Sequence, residues 1–339
     1  PIDILIVIAG IAVAVRFARL SACMIAILTV CAGEAVGQIF EKVTSSPVAA
    51  AGGNSWGTSW IDYDMDGDLD LFVVTNSNTI FRGCLFRNDG GAFTEITADP
   101  LGTDPFLEGA GCSWGDYDGD GDPDLFVATW DRNYNLLYRN DGAGAFTKIT
   151  GHALNGDPWY SISPSWIDYD LDGRLDLFVA NHSSGIGTGD GQNWLYRSTE
   201  SGFVRITGNA LTQESAGSNC GAWGDIDDDG DSDLFVANAW DNPGGRLYRN
   251  DGGGSFALLS DSPVTFAAAY SFGGSWGDYD NDGDLDLFVT CSPANRLYNN
   301  DGTGRFSLVT GQQISTDASY STGATWADFD TDGDLDLYV

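Results

Sequence analysis

The sequence predicts an all-β protein: a β-propeller of four-stranded blades, with an aspartate-rich loop between the first and second strands of each blade. Three observations predict it. A segment read first as Ser59-Trp-Ile-Asp-Tyr-Asp-Met-Asp-Gly-Asp-Leu-Asp-Leu-Phe-Val73 recurs six times, its first aspartate falling at Asp62, Asp116, Asp168, Asp225, Asp278 and Asp328. The spacings are 54, 52, 57, 53 and 50 residues, the size of a four-stranded blade. The chain is also rich in the residues of packed strands and special turns: Trp, Tyr and Phe number 11, 13 and 18 beside 45 Gly. A β-sandwich is the alternative architecture, but sandwich strands do not carry one signature six times.

The elements of a unit follow in order, and the second copy shows them. Strand A is a small-residue stretch ending in tryptophan, Gly111-Cys-Ser-Trp114; strand B is the apolar run Leu125 to Ala128. Strands C and D, Asn135 to Arg139 and Ala145 to Thr150, belong to a second block, Leu-Phe/Tyr-Arg-Asn-Asp-Gly-x-x-x-Phe-x-x-Ile-Thr, that trails each of the first five copies. Asn140-Asp141-Gly142 reads as a tight C–D hairpin, because these residues tolerate positive φ. The third copy degenerates here to Ser198-Thr-Glu-Ser-Gly202. The tryptophan two residues before each loop (Trp60, Trp114, Trp166, Trp223, Trp276, Trp326) is expected in the core between blades, and no helical periodicity occurs outside the N-terminal segment.

That segment, residues 1–37, is read as a targeting sequence and set apart from the fold. Residues 4–15 and 20–33 are apolar and are separated by Arg16 and Arg19; Ala35-Val36-Gly37 offers the small residues of a cleavage site. The alternative, a membrane anchor, is opposed by neither run alone reaching the ~18–20 apolar residues of a span. Residues 38–339 are then expected to hold five complete repeats and part of a sixth, cut short at Val339. Export implies an oxidising compartment in which Cys84, Cys112, Cys220 and Cys291 have the opportunity to pair, with no pairing indicated by the sequence.

The charge narrows the function. Lys+Arg is 15 against 49 Asp+Glu, a net charge of −34, which argues against nucleic acid and anionic membranes. Of the acids 43 are Asp, and they concentrate in the recurring Asp-x-Asp-x-Asp-Gly-x-x-Asp. Four carboxylates in nine residues repel one another unless a cation sits among them, and Ca²⁺ takes 6–8 hard oxygen ligands in flexible geometry. Positions 1, 3, 5 and 9 of the loop are the expected ligands. They are Asp62, Asp64, Asp66 and Asp70 in the first copy; Asp116, Asp118, Asp120 and Asp124 in the second; Asp168, Asp170, Asp172 and Asp176 in the third. The later copies supply Asp225, Asp227, Asp229 and Asp233; Asp278, Asp280, Asp282 and Asp286; and Asp328, Asp330, Asp332 and Asp336. Glycine at position 6 permits the sharp turn. Position 7 is Asp in five copies but Arg174 in the third, so it is expected to ligate through its carbonyl. The loop is not an EF-hand, which needs a bidentate Glu at position 12, where the first copy has Val73. Up to six Ca²⁺ are expected.

The aspartate loop opening a Leu-Phe-Val strand, followed by Leu-Tyr-Arg-Asn-Asp-Gly and Phe-x-x-Ile-Thr, resembles the FG-GAP/VCBS repeat family. The family includes the calcium-binding blades of integrin α-subunits and many secreted bacterial proteins, and the resemblance, closest to the bacterial VCBS-type branch, covers about residues 38–339. It implies calcium in the A–B loops, extracellular or cell-surface placement, and adhesion or ligand binding. The literal Phe-Gly and Gly-Ala-Pro signatures are absent or blurred.

In an up-and-down blade the A–B loops and C–D turns share one end. The other end carries segments that differ between copies: Trp130 to Tyr134, Asp157 to Tyr160, His182 to Asn193, Trp240 to Asn242, Tyr270 and Tyr320. Variable loops on a rigid scaffold are where binding resides. The expectation is a monomeric, non-catalytic propeller that binds a protein or glycan there, without membrane insertion of the mature domain. The alternatives are a polysaccharide lyase or glycosidase, for which only His152 and His182 would serve as neutral-pH bases, and a structural spacer in a longer surface protein. Two His and scattered Cys exclude a conventionally spaced zinc cluster. Asn181-His182-Ser183 forms a glycosylation sequon, expected to have no role in a bacterial protein.

Overall fold

The computed structural model of the chain describes residues 3–8 and 11–16 by their backbone, and residues 44–50, 54–76, 83–97, 100–103, 109–130, 134–155, 159–183, 191–240, 243–266, 269–315 and 321–339. Two units form, Pro1–Val43 and Thr44–Val339. In the first, β1 (Asp3–Ile8) pairs antiparallel with β2 (Ile11–Arg16). The expected leader beyond Arg16 lies outside the described residues. Among the described residues no helix is long and apolar enough to cross a membrane.

The second unit is a succession of four-stranded antiparallel sheets. After a helical turn, α1 (Pro47–Ala50), blade one is β3 (Asn54–Ile61), β4 (Asp70–Asn76), β5 (Gly83–Asp89) and β6 (Ala92–Ile96). A second turn, α2 (Pro100–Thr103), leads to blade two, with β7 (Gly109–Gly115), β8 (Asp124–Thr129), β9 (Leu136–Asn140) and β10 (Phe146–Ile149). Blade three is β11 (Tyr160–Ile167), β12 (Asp176–His182), β13 (Trp194–Thr199) and β14 (Gly202–Ile206). A third turn, α3 (Ala210–Gln213), precedes blade four, with β15 (Ser218–Gly224), β16 (Asp233–Asn238), β17 (Gly244–Asn250) and β18 (Phe256–Leu258). Blade five is β19 (Tyr270–Gly277), β20 (Asp286–Ser292), β21 (Arg296–Asn300) and β22 (Phe306–Leu308), and β23 (Thr325–Ala327) with β24 (Asp336–Tyr338) begin a sixth. In each complete sheet, neighbours in sequence are neighbours in space. The three one-turn helices sit before strands A or between blades, where sequence periodicity is too short to register them.

Strands A of successive blades lie side by side around a channel of about 600 Å³, to which all six units contribute, through Gly57, Gly111, Ser163, Cys220, Gly273 and Gly323 among others. A β-carbon at Gly111 would collide with the Ile162 carbonyl, so the close approach requires glycine there. Each complete strand A also carries a register shift at the same height, after Ser55, Gly109, Ser161, Ser218 and Ser271. The intervening residues (Trp56, Ala110, Ile162, Asn219, Phe272) all line the channel. A bulge turns one residue out of the pleat, and here it points each one at the axis.

The core lies between blades. Strand B is buried on both faces, and successive residues serve opposite neighbours. Leu125 and Val127 pack with Phe72, Val74 and Leu85 of blade one, while Phe126 and Ala128 pack with Leu177 and Val179 of blade three. Full burial of each such side chain stabilises by about 1.5–3 kcal/mol. The pre-loop tryptophans join this core as expected: Trp114 meets Phe72 edge-on at 5.9 Å, Trp166 meets Phe126 at 6.3 Å, and Trp223 meets Phe178 at 5.8 Å. The indole N–H of Trp276 donates to the Ala222 carbonyl of the blade before it at 3.1 Å. Trp60 departs from the expectation. It is 56% exposed, because no described sheet packs on the β3 side of blade one.

Two further expectations are corrected or resolved. The Asn-Asp-Gly segments do not all make tight hairpins. Blades two, four and five close β9–β10, β17–β18 and β21–β22 with five-residue loops, since Asn140 pairs with Phe146, Asn250 with Phe256 and Asn300 with Phe306. Two-residue turns occur in blades one and three, where Asp89 pairs with Ala92 and Thr199 with Gly202. Cys112, Cys220 and Cys291 are free thiols, one to a blade in three different blades, and Cys84 is buried in a fourth. Asn181 of the sequon is fully buried, and its amide donates to the Gln192 carbonyl at 2.9 Å.

Candidate metal loops and the aromatic face

Each aspartate loop is wound by its own first residue. The Asp62 carboxylate accepts the N–H of Asp66 at 3.0 Å on one oxygen and that of Gly67 at 3.0 Å on the other. Asp168, Asp278 and Asp328 repeat both bonds. Position 6 takes φ near +97° at Gly67, as expected. Position 4 is left-handed too, which sequence reasoning missed: Met65, Leu171, Asp228, Asn281 and Thr331 all have φ between 56° and 62°. Non-glycine residues pay for that conformation only where surrounding bonds over-determine it, and five different side chains accept it at one loop position.

The winding brings the expected ligands together. One oxygen each from Asp62, Asp64 and Asp66 lie within 4.8 Å of one another. So do oxygens of Asp116, Asp118 and Asp124, of Asp168, Asp170 and Asp176, of Asp225, Asp227 and Asp229, and of Asp278, Asp280 and Asp282. Position 9 is the buried member. Asp124, Asp176 and Asp233 are fully buried, and burial pushes each carboxyl up to about 7, against the lowering effect of backbone N–H donors. At position 3, Asp64, Asp118, Asp170 and Asp227 are raised by burial first and then by the carboxylate two residues on.

Whether a cation fits can be judged from the donors. Oxygen Oδ1 of each of Asp64, Asp170, Asp225 and Asp227 is buried without a hydrogen-bond partner, a costly state that an ion would relieve. The donors are all hard oxygens, as a group 2 cation prefers. The loops are therefore able to hold metal ions. Three of the position 7 side chains make bonds of their own. Asp68 accepts from Gly90 N–H in the C–D turn at 2.7 Å, Asp334 accepts from the Asn281 amide at 2.7 Å, and Arg174 donates to Asp172 at 2.8 Å.

The asparagine that opens the C–D turn was read as hairpin chemistry and does more. Its N–H donates to the buried position 9 aspartate: Asn88 to Asp70 at 2.7 Å, Asn140 to Asp124 at 2.8 Å, Asn250 to Asp233 at 2.7 Å and Asn300 to Asp286 at 2.8 Å. Its side-chain amide latches onto the loop of the preceding blade. Asn140 donates to the Tyr63 carbonyl at 2.8 Å, Asn250 to Tyr169 at 2.9 Å and Asn300 to Ile226 at 2.9 Å. The signal was present in the sequence as an Asn at one position of four copies, but its partner lies 74 to 81 residues away.

At the far end of the sheets, where strands A begin and strands B finish, aromatic rings run from blade to blade. Trp56 lies 6.0 Å from Trp130, Trp130 lies 5.2 Å from Tyr160 and 4.9 Å from His182, His182 lies 5.8 Å from Trp240, and Trp240 lies 5.9 Å from Tyr270. Trp56, Trp240 and Tyr270 are about half exposed. Five of these six were singled out for this end of the fold; Trp56 was not. Its distance from Trp60, four strand residues or ~13 Å, is the signal that places it there. Asp131 to Asn133, Asp157, Pro158, residues 184–190, Asp241, Asn242 and Tyr320 lie outside the described residues. His152 is not in this arc: it lines a cleft between blades two and three.

One solved structure accords with this architecture. A protein from Lactobacillus plantarum has a structure that superposes with a TM-score of 0.53 at 14% identity, over 80% of this chain and 73% of that one. An Agrocybe aegerita lectin, described as recognising non-reducing terminal N-acetylglucosamine, gives 0.49 at 17% identity over 83% and 70%. The Vibrio cholerae biofilm matrix protein Bap1 gives 0.43 at 18% identity over 76% of this chain and 39% of its own. A search of curated proteins by sequence found no match. A family model for the FG-GAP-like repeat matches residues 62–127, 116–179, 225–289 and 278–339. Those stretches begin on the first aspartate of a loop and together cover more than half of the chain, which therefore belongs to the FG-GAP-like repeat family.

Proposed function

We propose that the protein is an exported, calcium-loaded propeller, secreted or held at the cell surface, that binds a macromolecular ligand, a protein or a glycan, without catalysing its conversion. The observation that carries the reading is the pairing of two ends. One end repeats a set of oxygen donors with buried, unpartnered carboxylate oxygens. The other presents the arc of Trp56, Trp130, Tyr160, His182, Trp240 and Tyr270, with Trp56, Trp240 and Tyr270 about half exposed. Calcium suits the loops better than Mg²⁺, whose strict octahedral geometry and retained waters match poorly a wrapped ring of carboxylates. Large amphipathic rings on a rigid frame give contact area at small entropic cost. The two histidines belong to different places, His152 to an inter-blade cleft and His182 to the arc, which favours recognition over acid–base chemistry.

Binding to a glycan array and a panel of extracellular-matrix proteins, with Ca²⁺ and with chelator, tests the reading. A ligand bound in Ca²⁺ and lost by Trp130→Ala and Trp240→Ala, at unchanged melting temperature, is the expected result. Variants that bind as the parent does would remove the arc from recognition. Release of reducing ends from an acidic polysaccharide would replace binding with catalysis.

A further inference from the structure

One member of the aromatic arc also belongs to the axial channel. Trp56 stands 6.0 Å from Trp130 in the arc and lines the channel of about 600 Å³, a volume within the range of ligand cavities. The bulges set the chemistry of the channel wall at one height. Four of the five bulge residues, Trp56, Ala110, Ile162 and Phe272, present apolar surface, and the fifth is Asn219. Asn219 is partly buried, is the one side-chain amide among the described lining residues, and makes no hydrogen bond with the described chain. Amides close by in the fold are engaged: Asn135, Asn181, Asn238 and Asn250 each hold a partner.

The described wall of this channel carries no charge. Its titratable groups are the thiols of Cys112 and Cys220, and burial keeps both protonated, pushing Cys112 up to about 12. An anion would enter against the field of a chain of net charge −34. A cation would meet no counter-charge on the described wall, and a purely apolar group would leave the Asn219 amide desolvated and unpaired. The wall offers instead a half-exposed indole, an amide with two donors and an acceptor, and the hydroxyls of Thr58 and Thr322. An uncharged pyranose matches that set: its C–H face packs on an aromatic ring, and its hydroxyls both donate and accept. We propose that the channel mouth binds the terminal, uncharged pyranose of a glycan, with Trp56 against the sugar ring and Asn219 hydrogen-bonded to its hydroxyls. The inference rests on the binding function proposed above and narrows its ligand to a neutral glycan. The residue bound is a chain end, because an interior one cannot enter an axial channel without threading the chain, and the remainder of the glycan leaves across Trp130.

The test is calorimetry on the full chain in Ca²⁺ at physiological ionic strength. The probes are the methyl glycosides of glucose, galactose and mannose, each beside its uronic acid and its 2-amino-2-deoxy counterpart. At least one neutral glycoside should bind one to one, about tenfold more tightly than either charged counterpart. Asn219→Leu keeps the side-chain volume and removes the amide, and should weaken that binding about tenfold, the scale of the hydrogen bonding lost. Asn219→Asp sets a carboxylate at the same point and should turn the preference toward the amino sugar, a gain that misfolding does not mimic; it decides should Asn219→Leu melt below the parent. Neutral probes that do not bind, a uronic acid that binds equally, or an Asn219→Asp chain that keeps the parent's preference would overturn the proposal. The glycan array separates this inference from the reading beneath it. A glycan lost by Trp240→Ala but retained by Asn219→Leu overturns the channel site and leaves the reading standing. A matrix protein, in place of a glycan, lost by Asn219→Leu overturns the ligand class.

Discussion

The two ends of the propeller obey different rules. At the loop end, blades one to five repeat nearly the same bonds: a first aspartate winding the turn, a left-handed position 4, and a buried aspartate receiving an N–H from strand C. At the arc end the positions are filled by Trp130 in one blade and His182 in the next, and the connecting segments differ in length. On the proposed function, the difference separates what a metal requires from what a ligand selects. Coordination fixes distances and donor types at every site, so copies remain alike. Recognition needs only exposed surface on a fixed frame, so copies are free to diverge. Blade three is informative because its departures, Arg174 and Ser198, occur at the conserved end.

Removing the metal should produce the largest effect. A metal bound only by the folded chain stabilises by about 2.7 kcal/mol per site at a hundredfold excess over Kd, and several such sites rival the ~5–15 kcal/mol of a typical domain. Six Ca²⁺ at two charges each would also relieve the net charge from −34 to −22. Thermal melts should show a marked fall in Tm with chelator, restored by Ca²⁺ and far less by Mg²⁺. An unchanged midpoint would erase the contrast between the two ends.

Within the loops, Asp172→Ala should abolish the third site, whereas Arg174→Asp should change its affinity only modestly, since position 7 side chains point into other bonds. Calcium titration showing equal losses would refute the carbonyl assignment. A smaller effect is expected at the latch. Asn250→Ala removes an amide that donates to Tyr169 and Ser232 carbonyls and leaves buried acceptors unpaired, at a cost of about 1–3 kcal/mol. Denaturant unfolding that detects no loss would mean that the latch does not bind blade to blade.

The smallest expected effect is a pH trend in the metal-free protein. Asp124, Asp176 and Asp233 lie near 7 when folded, above an unfolded value near 3.9. The folded chain therefore binds more protons than the unfolded chain between about pH 4 and 7. These groups favour folding most at the acid side of that window, and their contribution is lost as pH rises through 7. In metal-free solution Tm should fall from pH 5 to pH 7.5. In saturating Ca²⁺ the trend should flatten or reverse, because the metal requires the ionised carboxylate. Melts at both pH values, with and without Ca²⁺, decide it.

Much of this was legible along the chain, because the relevant information is local. The Asp-x-Asp-x-Asp-Gly-x-x-Asp spacing puts its donors within nine residues, so the triads of Asp62, Asp64 and Asp66 and of Asp225, Asp227 and Asp229 needed no long-range contact to be inferred. Strand limits came within one or two residues for the same reason: Gly111 to Trp114 lies inside β7, and Leu125 to Ala128 inside β8. Six copies of a blade-sized repeat also determined the architecture, since a single blade has two apolar faces and can bury them only against its neighbours.

Tertiary structure decided what depends on which residues meet across blades. The asparagine latch joins positions 74 to 81 residues apart. The bulge that turns Trp56 and Asn219 toward the channel answers to the crowding of strands around an axis, a constraint no single blade contains. The burial that raises Asp124 to about 7 likewise exists only once blades close over it. Sequence spacing determines chemistry that one loop performs alone; packing geometry determines which loops become neighbours, and with it the arc of rings and the channel beside Asn219.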